Sequence, residues 1–388
     1  MRRLVHKLPK LRFRNPPKKN VIIFDEGGCE VLERMVIHGI DHFVLHTRFE
    51  RIYITPHIVL RMIGNVGRIR WTYLKQTKKD RLRKFLSEVY LLYLFCCIKH
   101  VNPKVVLTFV DNSYLFQSLS RSYRNAAFYA VQNGIRYPYN VSKWLPESPH
   151  PGSIISMPAL CCFGEYERDL YEKHGHQIDK CYSIGSIRGS YYRAHLAKDK
   201  YEKHFDVCLV SEWSENIMTG NILPEIRKAL DTLYTHVRRF YANNNFTLCI
   251  ATRSRDEAEL SYFRNLFDGK VYLTAFDQAK MTTYEAMDMS TVIVSFCSTA
   301  ALEAFGWGKK VLFCNFSGDS NYDSPRDGIW SLKHDDFDEF SARLHELIRM
   351  DESRFQSEAS DHVKYLMNYS SNYTSHEFVR KLILNSLM

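Results

Sequence analysis

The chain has 388 residues, 45% of them hydrophobic, and a net charge of +10, a composition that supports two or three globular domains with sizeable cores. No apolar run approaches the roughly 20 residues of a membrane span, and the basic N-terminus lacks the apolar segment of a secretory signal. Ten cysteines, adjacent at Cys96-Cys97 and Cys161-Cys162, show no C-x-x-C metal or redox spacing and read as buried thiols of a reducing cytosol.

The charge is concentrated at the start. Residues 1–20 hold eight Lys/Arg and no acid, and residues 61–84 hold nine against the single Asp80. With Leu4, Val5, Leu8, Leu11 and Phe13 interleaved, residues 1–20 read as a flexible basic arm for an anionic membrane surface. Pro9, Pro16 and Pro17 break any long helix there. No nucleic-acid module is recognisable, which sets that partner class aside. A peripheral, cytoplasmic placement on the inner membrane is the corresponding expectation.

The first predicted strand, Asn20 to Phe24, runs into Asp25-Glu26-Gly27-Gly28 and a helical pattern over Cys29 to Val36. Acids after a strand of an open α/β sheet sit where such folds place their chemistry; the plainer reading is a turn with a helix N-terminal acid pair. An apolar helix over Phe85 to Lys99 precedes a strand ending at Asp111-Asn112, and the next strand, from Ala126, ends at Gln132-Asn133-Gly134 with Arg136 beyond. Three strands therefore deliver carboxylates and amides to one edge, more than caps and turns require. The proline-rich stretch 137–158 reads as an irregular loop over that edge. A strand over Ala159 to Phe163, a helix over Glu165 to His174 and a strand from Cys181 leading to a glycine turn close a first domain of residues 21–197.

The alternation restarts in residues 198–388. Phe205 to Trp213 is a strand ending at Ser211-Glu212, Leu223 to Asn243 a helix, and Phe246 to Thr252 a strand ending at Arg253 and Arg255. These two arginines suit a phosphate fork, or surface pairing with Asp256 and Glu257. Thr291 to Phe313 reads as strand, helix, strand. A helix opening at Ser298-Thr299 offers unpaired N–H groups and a positive dipole end to a phosphate. Its hydroxyls cap the helix or face a ligand. Glu303 holds the two hydroxyls of a ribose or is a solvated helix residue. Asp335, Asp336 and Asp338 read as a helix cap and first turn, and Thr374 with Glu377 as a capping box.

These stretches together resemble a GT-B glycosyltransferase, and more narrowly the bacterial surface-carbohydrate proteins of O-antigen and capsule biosynthesis. The resemblance is carried by Phe24-Asp-Glu-Gly-Gly28, Thr108-Phe-Val-Asp-Asn112, Val131-Gln-Asn-Gly-Ile-Arg136, Ile184-Gly-Ser-Ile-Arg188, Leu209-Val-Ser-Glu-Trp213 and Ser298-Thr-Ala-Ala-Leu-Glu303 with Gly308-Lys-Lys310. It implies an α/β, GT-B-like fold of two Rossmann-like domains facing a cleft. It also implies sugar transfer from a nucleotide-sugar donor, with a CMP-linked ulosonic acid one candidate, to a surface-polysaccharide or lipid-linked glycan acceptor.

On that reading Glu26 or Asp25 is the base. Arg253, Arg255, Ser211, Ser298, Thr299 and Glu303 hold the donor. Asn112, Gln132, Asn133, Gly134, Arg136 and Glu212 position the acceptor or sugar, and Asp111 or Glu212 supplies a second acid for a retaining route. No metal or cofactor is implied. The other readings are a nucleotide-sugar epimerase of the same fold and a non-catalytic scaffold of a polysaccharide assembly complex.

Overall fold

The structure is a computed structural model, which describes residues 10–48, 50–69, 78–138, 154, 156–197, 203–219 and 224–388, without the side chains of residues 78–81. Most of the proline-rich loop and residues 1–9 of the basic arm lie outside the described residues. The remainder of that arm is folded onto the domain: β1 (Lys10–Arg12) pairs in parallel with β4 (Arg51–Tyr53).

Two six-stranded parallel sheets form the frame. The first has the order β3-β2-β5-β6-β7-β8, comprising β2 (Val21–Phe24), β3 (His42–Leu45), β5 (Val105–Thr108), β6 (Ala127–Val131), β7 (Ser156–Cys162) and β8 (Gln177–Ser183). The second has the order β11-β10-β9-β12-β13-β14, built from β9 (Phe205–Val210), β10 (Leu248–Ala251), β11 (Tyr272–Leu273), β12 (Ser290–Ser295), β13 (Lys310–Cys314) and β14 (Ser331–Leu332). Both are the doubly wound α/β arrangement that the sequence implies.

Helices cover both faces of such sheets, so the central strands bury both faces and read as unbroken apolar runs. All four residues of β2 and of β5 are buried, as are all four of β10. In each sheet the strand order reverses once, between β2 and β5 and between β9 and β12. Connections diverge at such a point and leave a crevice beyond the carboxyl ends of the strands. Asp25-Glu26 and Asp111 therefore stand at one switch point, and Ser211-Glu212 and Ser298-Thr299 at the other.

Three features depart from the sequence reading. The strand expected from Cys181 to a glycine turn starts earlier, at Gln177, and ends at Ser183, and a helix that was not expected follows the turn. Gly185, at φ 76°, turns the chain, and Ser186 accepts from Gly189 N–H to start a helix over Ile187–His195. Glycine is required at that turn, both for the positive φ and because a Cβ would stand 2.5 Å from the Tyr369 ring. The C-terminal helix Ser375–Leu387, expected with the second domain, lies against the first: Arg380 donates to the Val36 and His38 carbonyls at 2.8 and 2.9 Å, and Tyr129 meets Ser386 at 2.9 Å. Thr374 opens that helix with its hydroxyl on the Glu377 carboxylate rather than on a backbone N–H. Asp336 does cap the helix Phe337–Arg349, accepting from Asp338 and Glu339 N–H.

Candidate functional site

A cavity of about 1060 Å³ lies between the two sheets. Its C-terminal wall is the second switch point: Ser211 and Glu212 after β9, Thr252 and Arg253 after β10, and Cys297 to Ala300 after β12, with Glu303 behind them. Its N-terminal wall is Glu30, Glu33 and Arg34 of the helix Cys29–Met35, together with Arg188. Arg34 bridges the walls by donating to the Ala279 carbonyl at 2.7 Å.

The helix Thr299–Gly306 opens into this space. Ser298 is its N-cap, yet makes no side-chain capping bond, so the helix start retains its orphan N–H groups and dipole end. The Thr299 hydroxyl accepts from Ile135 N–H at 3.3 Å, which docks the Gln132-Asn133-Gly134 turn of the first domain onto the helix. A Cβ on Gly134 would stand 3.4 Å from that hydroxyl.

Glu303 is not a solvated helix residue. It is fully buried, and its carboxylate accepts from Ser186 Oγ and, at 2.5 Å, from Tyr284 OH. Burial pushes its pKa up, while Arg188 and the two hydroxyls pull it back. Each oxygen still has acceptor capacity left.

The two arginines divide. Arg253 lines the cavity. Arg255 turns away to the Phe276 carbonyl at 2.6 Å and to Asp277 at 3.2 Å, so the expected two-arginine phosphate fork is not assembled. Glu259, a residue that the sequence reading did not single out, shapes the Arg253 turn. Fully buried, it accepts from Ser211 Oγ at 2.6 Å, Arg253 N–H at 2.8 Å, Ser254 N–H at 2.9 Å and Ser254 Oγ at 2.8 Å. Ser211 is thereby committed to the fold. Glu212, which lines the cavity, ties β9 to β12 by accepting from Ser295 Oγ at 2.8 Å and from Phe296 and Cys297 N–H at 3.0 and 2.8 Å. This is a structural brace rather than an acid left for a reacting carbon.

The acids of the first sheet lie outside the cavity lining. Asp25, at φ 81°, accepts from Gly27 N–H at 2.6 Å and Thr47 Oγ1 at 2.5 Å and faces Arg48 at 3.2 Å. Glu26 accepts from Thr47 N–H through Oε2 at 2.9 Å, while its buried Oε1 has no partner.

Asp111 is fully buried and gripped by Arg136, whose Nε donates at 3.0 Å and whose second nitrogen is also bonded. This sealed pair withdraws Asp111 from nucleophile duty and Arg136 from ligand contact. Gln132 is likewise spent inside the fold, donating to Gly134 O and Glu167 and accepting from Phe163 N–H. Asn133 accepts from Arg136 and, through its carbonyl, from Arg188 at 2.6 Å. Asn112 is half-buried in the turn after β5, away from the cavity.

One group of described residues has the donor set for a cation: Glu26, His46 and Glu50, with ligand atoms within 4.8 Å of one another. Burial holds the His46 imidazole below its ordinary pKa, so it is a neutral donor of the kind a metal takes.

The family described as "putative O-antigen biosynthesis protein" matches residues 180–383, just over half of the chain. The chain belongs to this family. Comparison with curated protein sequences finds no match.

Among solved structures, a UDP-N-acetylglucosamine 2-epimerase is 15% identical, with a TM-score of 0.52 over 96% of this chain and 95% of that one. The UDP-GlcNAc 2-epimerase of Methanocaldococcus jannaschii is 11% identical, with a TM-score of 0.50 over 94% and 99%. A glycosyltransferase from Rickettsia africae ESF-5 is 14% identical, with a TM-score of 0.48 over 95% and 99%. At these identities the likeness to the two epimerases shows the fold, the GT-B-like pairing of two Rossmann-like units. No helix among the described residues is long and apolar enough to cross a membrane.

Proposed function

We propose that this protein transfers a sugar from a nucleotide-sugar donor to a surface-polysaccharide or lipid-linked glycan acceptor, with the donor in the cavity between the two sheets. The observation that carries the reading is the second switch point. There an uncapped helix start, the Ser298 hydroxyl and Arg253 line one wall of a nucleotide-sized cavity. Orphan N–H groups, a dipole end and a guanidinium together suit a diphosphate and the charge that develops as it leaves.

Glu303 has acceptor capacity for ribose hydroxyls on the same wall, and Arg188 extends the positive lining from the first domain. Of Asp25, Glu26 and Asp111, only Glu26 keeps an oxygen uncommitted, which makes it the base in this proposal. An anionic membrane surface is the place where a lipid-linked acceptor would be met.

The test is nucleotide release from UDP-, GDP-, CMP- and dTDP-sugars, with and without a glycan acceptor. Acceptor-dependent release from one donor is expected. Conversion of the sugar without acceptor or release would replace transfer by epimerisation, and inertness toward every donor would sink both.

A further inference from the structure

The exposed apolar side chains of this protein are unevenly placed. Of the fourteen large ones among the described residues, nine lie between Leu11 and Leu86: Leu11, Phe13, Ile54, Val59, Leu60, Ile63, Val66, Leu82 and Leu86. Their focus is the helix Pro56–Gly64, which Thr55 caps by accepting from Ile58 N–H. Ile58 anchors the inner face at 1% exposure, while Leu60 and Ile63 stand 65% exposed on the outer one. Residues three and four apart share a helix face, so Val59, Leu60 and Ile63 form a ridge that Val66 continues.

Neighbouring segments are fixed beside it. Ile54 N–H donates to the Arg12 carbonyl and Thr55 Oγ1 to Asn15 at 2.6 Å, which brings the 77%-exposed Phe13 to the same helix end. Leu82 and Leu86 come from the helix Lys78–Val101, which packs on this one. Monomeric surfaces scatter such side chains singly; a concentration marks an interaction face.

The charge around the ridge selects the partner. Residues 51–69 contain Arg51, Arg61 and Arg68 and no acid, and residues 1–24 contain none either. Among the described residues Arg12, Arg14, Arg51, Arg61 and Arg68 have no acidic partner, whereas Lys19 pairs with Asp41. Apolar side chains rimmed by unneutralised cations complement an anionic lipid surface, which takes the first into its acyl boundary and the second among its headgroups.

We infer that the ridge of the 56–64 helix docks this protein on an anionic bilayer, with Leu60 and Ile63 inserted and Arg12, Arg14, Arg61 and Arg68 at headgroup level. This gives residues to the membrane contact in the functional reading and centres it on a folded surface, to which the arm of residues 1–20 contributes Arg12 and Arg14. Its evidence, exposure and charge, is independent of the donor cavity.

The test is co-sedimentation of the full chain with vesicles of phosphatidylcholine alone or mixed with phosphatidylglycerol, using wild type and the Leu60→Asp/Ile63→Asp variant. The wild type sediments with the mixed vesicles only, less at high salt. The variant loses about tenfold or more in partition, as removal of two inserting apolar side chains requires. Its melting temperature and any nucleotide-induced shift stay at wild-type values, because both side chains project into solvent. Failure of the wild type to sediment overturns the inference, as does equal sedimentation of the variant. A dimer that the variant dissociates, without vesicle binding, would assign the ridge to a second copy instead. Vesicle binding with no response to any nucleotide leaves the docking surface standing and removes the donor reading alone.

Discussion

Asp111→Ala offers a direct way to separate a catalytic acid from a structural one. The side chain is fully buried and holds Arg136, itself only 8% exposed, through two nitrogens, and it also accepts from Asn133 N–H at 3.3 Å. Truncation leaves an interior guanidinium without the carboxylate that it is bonded to, and breaking a buried pair in this way costs about 3–5 kcal/mol. Replacing both partners by apolar residues, as in Asp111→Leu/Arg136→Met, removes the stranded charge and recovers most of that loss.

Thermal and urea unfolding of wild type, Asp111→Leu, Arg136→Met and the double variant complete the cycle, with Asp111→Ala measured beside them. The expected result is two strongly destabilised singles and a double far closer to wild type than their sum. An Asp111→Ala protein that melts within about 1 kcal/mol of wild type but loses sugar transfer would refute this reasoning and restore Asp111 to the chemistry.

Two further perturbations test the frame, and one the site. Glu167 is buried against Gln132 and Gly164, and desolvation raises its pKa from 4.5 to about 7. The folded state thus holds this proton more tightly than the unfolded chain. Its contribution is fully present below pH 4.5 and is lost as pH rises through 7, up to roughly 3 kcal/mol. Glu167→Gln should flatten that part of the stability profile between about pH 4.5 and 7, and an unchanged slope would contradict the assignment. Gly164→Ala puts a Cβ 2.1 Å from the Tyr365 carbonyl oxygen; backbone must move, at a cost of about 3 kcal/mol or more, and a wild-type melting temperature would refute the contact. Ser298→Ala should leave stability within about 0.5 kcal/mol, because no capping bond is lost, while weakening nucleotide binding. A stability loss typical of a removed cap, about 1 kcal/mol, would show that the hydroxyl serves the helix instead.

The frame was legible in the sequence because both faces of the central strands are buried, which leaves unbroken runs such as Val21–Phe24. The helix at Ser298-Thr299 was legible for a related reason, since polar residues follow such a run at a parallel strand's carboxyl end. Individual roles at those ends were not. Asp111 and Arg136 are 25 positions apart, and each resembles a functional group at a sheet edge; adjacency of β5 and β6 lets them neutralise each other. Gln132 disappears into the fold in the same way. Arg255 finds Asp277 rather than its sequence neighbours Asp256 and Glu257, because the β10 turn aims it toward the next βα loop. Glu259 sits in an ordinary acidic helix start, and only the return of the Arg253-Ser254 backbone over it reveals a buried acceptor of four hydrogen bonds. The apolar ridge on the helix Pro56–Gly64 was obscured because the pattern there has an exposed apolar side, which a core-seeking reading does not expect.

The central claim is that the cavity at the β9/β12 switch point holds a nucleotide-sugar. Its most direct test is the melting temperature of wild type and Arg253→Ala with UDP, GDP, CDP, dTDP and CMP, each well above its dissociation constant, where binding to the native state adds about 2.7 kcal/mol at a hundredfold excess. A shift selective for one nucleotide, and reduced in Arg253→Ala without loss of the unliganded melting temperature, is the predicted result. No shift with any nucleotide, or a shift indifferent to Arg253, would contradict it.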